Sequence, residues 1–570
     1  GHWTGRGMNW NSMCAHCHMT GFRKEYDVEE DRYRSTWVEE GIGCIQCHGP
    51  IGPDHGTAKE ALQPGWIRDR QQSEQTCAYC HARNEQLTAE FPPGSTYEDH
   101  FRLTLPVQPG VFWPDGQQLD EDFNWTSVQL SRMHHAGVSC MDCHDPHTSK
   151  TILPVENNAL CMQCHSTPGR PMPGTGILTP AIDPIVHSRH AEGSTGNQCV
   201  SCHMPTANYM MRSPRHDHGW LKPDPLMTQE LGIPNACNGC HEEESVSWAI
   251  EHTTAWYGEK MDSRQRARAR AIDAAQKGRE SGVAALLALW EDEDIPAWRA
   301  TYLQLLAGHA DHHGEIVTIA RNAANSEDPL ERASALQVLT GLPGQEDVIR
   351  KGLEDPVRLV RLDAAWAMPQ ALPAGSVEAK EFLDYMDLTL DQPGGRLRKG
   401  QYLANIGQLD AAAEEMKQAT EWDRYSAGIH ESHGFVLQAA NRLPEAANAF
   451  YRAALLEPEN GDAMFTAGLA YAEAGKMEEA ETALSSAVER DPSLDRAWYN
   501  LGLLRNQNGD TEGALAALQA AEEAGPQVAD YPYAAATILW RLGDRDKARA
   551  AAQRALAINP GYAPARRLLQ

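Results

Sequence analysis

The chain has 570 residues, a formal net charge of -28 and only 7% aromatic residues, yet it carries 14 cysteines and 24 histidines. Domains usually run to about 100–200 residues, so this length exceeds one ordinary core and predicts roughly two to four structural units. A mean hydropathy of -0.52 without any run of about 20 apolar residues excludes a membrane-spanning helix, and 50 Lys+Arg against 78 Asp+Glu, at a pI near 5.3, excludes a basic surface for nucleic acid.

Up to His241 the chain is punctuated by cysteines, and all of them fall in Cys-x-x-Cys pairs: Cys14 and Cys17, Cys44 and Cys47, Cys77 and Cys80, Cys140 and Cys143, Cys161 and Cys164, Cys199 and Cys202, Cys237 and Cys240. A histidine follows each second cysteine: His18, His48, His81, His144, His165, His203 and His241. Chance recurrence is on the order of 10⁻¹⁰, which sets aside zinc knuckles and disulfides, where the next residue is free to vary. Cys-x-x-Cys-His is the attachment signature of c-type haem: two thiols become thioethers to the porphyrin, and the adjacent histidine is the proximal ligand of the iron. The expected cofactors are seven c-type haems, one per motif. No thiol remains for a disulfide bridge or a nucleophile.

Roughly 35 residues per porphyrin is too little protein for separate apolar pockets, so the haems are expected to supply most of this region's core. The segments between motifs are rich in Gly and Pro, as at Gly49–Pro53 and Phe91–Gly94, and predict short helices and loops wrapped on haems. Each iron needs a sixth ligand, or a vacancy if it performs chemistry. The candidates are His2, His16, His55, His100, His134, His135, His147, His187, His190, His216 and His218. Of these His55, His147, His190 and His218 stand in Gly/Pro/Asp-rich turns near motifs, and His134 of the His134/His135 pair, His100 and His2 complete the favoured distal set. Met13, Met19 and Met204 are alternatives of softer ligand type.

Beyond His241 cysteine vanishes, alanine and leucine rise, and helical periodicity takes over from near Ser247. Three stretches set an acid before a proline: Asp294-Ile295-Pro296, Asp328-Pro329 and Asp355-Pro356. Aspartate caps free amides and proline fits the first helical turn, where its missing N–H costs nothing. With the Arg/Ala/Leu helices that follow, such as Arg358–Ala365, this resembles HEAT repeats at irregular spacing.

The last part of the chain is strictly periodic. Ala412, Ala446, Ala480, Ala514 and Ala548 recur at intervals of 34, as do Gly400, Gly434, Gly468 and Gly502, with Ala536 in the fifth place. A second series, Ala419, Ala453, Ala487, Ala521 and Ala555, keeps the step, and so do Pro458, Pro492, Pro526 and Pro560. This register resembles the tetratricopeptide repeat, in which small residues let two antiparallel helices touch and proline closes the unit. Arg424 stands where the first repeat lacks its proline. The expected architecture is mainly α: a heptahaem cytochrome c domain at 1–250, HEAT-like helices at 251–385 and five tetratricopeptide repeats at 386–570.

Taken together, the stretches Trp10–Cys14, Gly41–Pro50, Ala136–His147, Cys199–Pro205 and Arg215–His218 resemble bacterial multihaem c-type cytochromes with a tetratricopeptide tail. The motif-bearing region is similar to the cytochrome c554 and multihaem nitrite-reductase lineage. That resemblance implies distal roles for His55, after the Cys-His-Gly-Pro turn, and for His147, in Cys-His-Asp-Pro-His. The reductases of that lineage bind substrate at a haem with a lysine proximal ligand, whereas every motif here ends in histidine.

Haem attachment to this signature takes place outside the cytoplasm, so a periplasmic, cell-surface or extracellular location is expected. The chain starts at Gly1 without methionine or an apolar leader and reads as a processed form. The expected function is electron transfer by hopping between haems, with a redox protein as donor or acceptor, rather than conversion of a substrate. A sharper form has copies stacked into a conductive filament, with His2 reaching a haem of the next subunit and the helical repeats projecting. The alternatives are a multihaem oxidoreductase acting on a small nitrogen or sulfur oxyanion, and a scaffold or assembly factor whose repeats bind a protein.

Overall fold

The computed structural model describes residues 5–50, 69–166, 171–172, 175–209 and 212–570. The expected ligands His2 and His55 lie outside them. The fold is mainly helical, and the chain divides into two compact units. One runs from Met13 to Leu388, and the other joins residues 5–12 to Thr389–Gln570.

In the first unit the motif-bearing stretch is built from short helices, such as Cys44–His48, Ala159–His165 and Cys199–His203, and from two-stranded antiparallel ribbons. A sizeable aromatic core is built from the third motif and the interval that follows it. There Tyr79 stacks on Phe91 at 5.2 Å, and Tyr97 and Phe101, 5.2 Å apart, are almost wholly buried. The reason is length: Ala82–Ser139 is the longest stretch between successive motifs, enough to bury apolar side chains on its own.

From Val246 the same unit continues as helices, cross-linked to the motif-bearing stretch by polar contacts. Arg102 forks onto Asp363 at 2.8 and 2.5 Å, Arg266 onto Asp224 at 2.9 Å through both nitrogens, and the buried Trp298 donates its indole N–H to the Leu130 carbonyl at 3.0 Å. Arg268 lies over the Trp298 ring at 4.2 Å and pairs at 2.5 Å with the fully buried Glu293, which also accepts the Tyr302 hydroxyl at 3.0 Å.

Of the three acid-proline starts, only Asp328 caps its helix, accepting the N–H groups of Leu330 and Glu331. Asp355 accepts the Val357 N–H at 2.9 Å and also holds Arg332 bidentately, and the next helix begins one residue later, at Arg358. Asp294 makes no cap to helix Pro296–Leu306, while its neighbour Glu293 accepts the Ile295 N–H at 3.2 Å.

The second unit is a run of five helix pairs, Pro393–Asn405 with Leu409–Trp422 through Asp530–Arg541 with Arg545–Ile558, followed by Ala563–Leu569. Both alanine series are buried at the helix contacts. A Cβ added at Gly400, Gly434, Gly468 or Gly502 would fall within 2.6–2.8 Å of Met416, Phe450, Leu484 or Leu518 respectively, the residue 16 positions on. Where the fifth repeat has Ala536 in place of glycine, the residue 16 positions on is Ala552, so the larger residue on one helix is matched by a smaller one on the other. Each first helix ends at a left-handed residue, Gly407, Asn441, Gly475, Gly509 and Gly543, which turns the chain into the second helix. Residues 5–12 are held at the first pair: the Arg6 guanidinium lies 3.7 Å over the Trp422 ring, and Ser12 hydrogen-bonds Asp391.

Candidate cofactor-binding sites

Within the helices Cys44–His48 and Cys199–His203, the two cysteines stand three residues apart, on one face of a single turn, and the histidine follows immediately. Such a turn presents two thiols to one edge of a flat group and directs an imidazole toward its centre. The same arrangement closes two longer helices, with Cys77 and Cys80 in Arg70–His81, and Cys161 and Cys164 in Ala159–His165. The remaining motifs use tighter or irregular turns: Cys14 precedes the helix Ala15–His18 that holds Cys17, Cys143 follows the 3₁₀ turn Cys140–Asp142, and Cys237 and Cys240 lie in a turn outside any helix.

Four motif histidines are faced by a histidine from outside the motifs. His48 and His147 have ring centroids 6.1 Å apart at 14°, His144 and His218 6.3 Å at 27°, His203 and His187 6.0 Å at 18°, and His241 and His190 6.2 Å at 39°. A metal held between two imidazoles by bonds of about 2 Å, with each nitrogen about 1.1 Å from its ring centre, places the centroids about 6.2 Å apart. The observed spacing is therefore too wide for stacked rings in contact and right for rings with a metal ion between them.

Backbone carbonyls orient several of these rings. Nδ1 lies 2.9 Å from the Leu221 oxygen in His203, 2.7 Å from the Ser188 oxygen in His190, 2.9 Å from the His216 oxygen in His218 and 3.0 Å from the Pro180 oxygen in His165. A carbonyl oxygen only accepts, so Nδ1 carries the proton and the Nε2 lone pair is left for a metal. Any side chain at Gly196 would run into the His190 ring. Burial, with His144 and His216 nearby, holds His218 down at about 4, and burial likewise lowers His144, His187 and His203, so these rings are neutral at neutral pH, as ligation requires. Burial and neighbouring charges push the Cys143 and Cys202 thiols up to about 11, which favours the protonated form of the free thiol.

Apolar side chains are left exposed beside the motifs: Met13, Ile42 and Met141 in or next to them, and Ile185 and Val186, 47% and 60% exposed, immediately before His187. A flat apolar macrocycle at each motif would cover such surface. The thiol spacing, the paired rings and this apolar rim all fit haem c.

The first site adjoins the third, and the third to the sixth adjoin in order. Cys17 of the first motif has Sγ 4.0 Å from the carbonyl of Tyr79 in the third, Arg70 of the third motif's helix pairs with Asp142 in the fourth, Gln163 in the fifth donates to the Asp142 carbonyl at 3.0 Å, and Asn158 beside the fifth accepts the Cys199 N–H of the sixth at 2.8 Å.

Of the expected distal residues, His147, His190 and His218 stand opposite motif histidines, while His100 and His134 do not. His100 packs edge-on to Phe91 at 5.3 Å with Nδ1 2.6 Å from the Thr88 hydroxyl, and His134 packs edge-on to Trp125 at 5.7 Å beside Glu74, whose carboxyl burial raises to about 7. Both belong to the aromatic core that the long third interval builds. His187 faces a motif histidine but was outside the favoured set, because it sits on a helix after Pro184 rather than in a turn; its sequence signal is a second histidine three residues before His190.

Among the described residues, His81 and His165 face no histidine from outside the motifs in this way. The fifth motif, Cys161, Cys164 and His165, is therefore described from its proximal side. The stretch after residue 178 adjoins it: the Thr179 hydroxyl donates to the Cys164 carbonyl at 2.7 Å, and the Pro180 carbonyl accepts from His165. These contacts fix the backbone at Cys164 and the plane of the adjacent ring from the proximal side.

The comparisons with known proteins divide along the chain in the same manner. The family described as cytochrome c554 and c-prime matches residues 4–49, and the doubled CXXCH motif matches residues 134–169. Tetratricopeptide repeat families match residues 395–425, 437–502, 479–529 and 529–562. No curated protein matches the chain. Among solved structures, YrrB, described as a TPR protein with an unusual peptide-binding site, is 24% identical, with a TM-score of 0.27, over 30% of this chain and 89% of its own. A MamA from Desulfovibrio magneticus RS-1 is 18% identical at a TM-score of 0.26, covering 30% of this chain and 97% of its own. The pilF protein of Pseudomonas aeruginosa is 20% identical at a TM-score of 0.25, covering 31% and 80%.

Proposed function

This chain matches a multihaem c-type cytochrome with C-terminal tetratricopeptide repeats, and from that premise we propose that it transfers electrons outside the cytoplasm through seven covalently attached haems, one at each motif. The observation that carries this reading is the set of facing imidazole pairs, each joining a motif histidine to a histidine from elsewhere in the chain. When bound, the haems would supply one-electron exchange between close neighbours without binding a substrate.

The chain's own residues have three tasks. The motif cysteines anchor the macrocycles as thioethers, so no site depends on a pre-existing apolar pocket. His18, His48, His81, His144, His165, His203 and His241 would hold the irons from the motif side, and His147, His218, His187 and His190, which face His48, His144, His203 and His241, would hold those of the second, fourth, sixth and seventh motifs from the other. His55 is retained as a distal ligand on the resemblance alone. The carbonyls of Leu221, Ser188 and His216 hold ring orientation and raise ligand basicity. We assign the redox role to residues 1–250, a HEAT-like helical segment to 251–385, and protein binding to the repeats at 386–570.

Self-association into a filament is the sharper form of this reading. Its support is that Cys44, Cys47 and Cys240 are exposed, bringing the attachment edges of the second and seventh motifs to the surface, as passage between copies requires. Electron microscopy under native conditions tests it, and monomers alone would remove it. For the function itself, intact mass and haem quantification should give one haem per motif, with low-spin ferric signals in electron paramagnetic resonance. Fewer haems, or a high-spin site that binds nitrite or sulfite, would overturn it in favour of an oxyanion reductase.

A further inference from the structure

Two of the facing imidazoles hang on one short support. His187 lies in the helix Pro184–Ser188, and His190 follows after Arg189, whose φ of +62° turns the chain between them. Their partners, His203 and His241, belong to different motifs. The support has few ties of its own: Asp183 caps the helix through the N–H groups of Ile185 and Val186, and Asn197 donates to the Ser188 hydroxyl at 3.0 Å.

A wall for both pairs comes from the helix Val246–Tyr257, at the start of the cysteine-free part of the chain. Tyr257 donates its hydroxyl to the His187 carbonyl at 2.5 Å and sets its ring 5.7 Å from that imidazole. Trp256 stands edge-on to His190 at 6.5 Å, and Trp248 lies 4.9 Å from His241. His252 fills the space between the two tryptophans, at 4.5 Å from Trp248 and 5.5 Å from Trp256. Residues 248, 252 and 256 are four apart, so one helical face meets both sites. Cys202 and Cys237, attachment residues of the sixth and seventh motifs, are among the groups that act on the Tyr257 phenol.

We propose that the helix Val246–Tyr257 positions the distal imidazoles of the sixth and seventh sites, and that Tyr257 is a positioning residue that fixes the plane of His187. This rests on the reading of His187 and His190 as iron ligands. The phenol acts twice on the same residue, through the backbone carbonyl and through ring contact, and the His187 ring lies at 18° to that of His203. The mutual orientation of axial imidazoles sets the anisotropy of a low-spin ferric signal, and an apolar wall that excludes water tunes the potential.

Tyr257→Phe keeps the ring and removes only the hydroxyl. In the full, haem-loaded chain it should shift the low-spin signal and reduction potential of a single site, leaving the other signals and the thermal unfolding of the protein unchanged. In parallel, His187→Gly should replace one low-spin signal by a high-spin one. Should that variant not accumulate, His187→Met should raise one potential. If the ligand variant behaves so and Tyr257→Phe superimposes on the parent in both spectrum and redox titration, the positioning role is overturned while the ligand reading stands. If the ligand variant leaves every signal and potential unchanged, His187 is not a ligand and both fall.

Discussion

The motif-bearing stretch and the C-terminal repeats are both strings of short units, but they are ordered by different means. In the repeats every contact is prescribed by position: a glycine or alanine on one helix, and 16 residues later the side chain that fills the space it leaves. Along the motifs no period exists, most helices run to a turn or two, and apolar side chains such as Val186 stay exposed. Solenoids store their order in nearest-neighbour packing of the chain itself. A stretch whose thiols and imidazoles are arranged around a flat group stores much of its order in that group, and only the interval Ala82–Ser139 is long enough to make an exception.

The widest separation of the two regions should come from withholding the cofactor. Produced without haem attachment, the full chain should be cut by protease throughout residues 13–245, while the helices of residues 393–558 stay intact, as mass spectrometry of the fragments would read. Equal resistance in both regions would erase the distinction. Next in size, Glu293→Ala should cost about 3–5 kcal/mol, because it strands the buried guanidinium of Arg268. Urea unfolding followed region by region should show that loss in the unit Met13–Leu388, with the transition of the repeats unmoved.

Within the repeats, Gly468→Ala should cost about 1–3 kcal/mol through contact with Leu484. Combined with Leu484→Ala it should give less than the sum of the two single losses, since the pair then reproduces Ala536 and Ala552. Strict additivity in a double-mutant cycle would refute the size-matching rule. The smallest effect concerns pH. Burial first, then Arg442 and His430, hold His433 down to about 4 from 6.5. Between those values the unfolded chain takes up a proton that the folded repeat refuses, so stability should fall as pH drops from about 6.5 toward 4. At a half-buried site the loss is on the order of 1–2 kcal/mol after solvent screening, and His433→Gln should remove it.

What could be read from the sequence follows the same division. The interval of 34 revealed the repeats because packing there is local and each residue's partner lies at a fixed offset. Asp328 and Asp355 both accept a free amide two residues on, as the acid-proline pattern predicts, but the helix after Asp355 begins one residue beyond that amide, at Arg358, so only Asp328 stands at the cap position itself. The attachment residues were legible because thiol and imidazole must be adjacent in sequence to serve one group. Distal partners carry no such constraint. A histidine in a turn-rich context is as free to join a local aromatic core, as His100 and His134 do, as to reach across to another motif, and His187 was hidden by lying on a helix.

The binding of residues 5–12 at Trp422 and Asp391 makes the repeat unit discontinuous in sequence. The intervening chain, with all its motifs from Cys14 onward, is therefore an insertion within the repeat unit rather than a preceding neighbour. During synthesis the segment bearing Arg6 precedes its docking surface at Asp391 and Trp422 by the whole inserted region, so this contact closes only after that region has been made. Closing so long a loop is entropically costly while its contents are unfolded, and much less so once they are compact. Docking at the first helix pair thus reports on the state of the inserted region, and a chain with incompletely loaded motifs should leave residues 5–12 undocked.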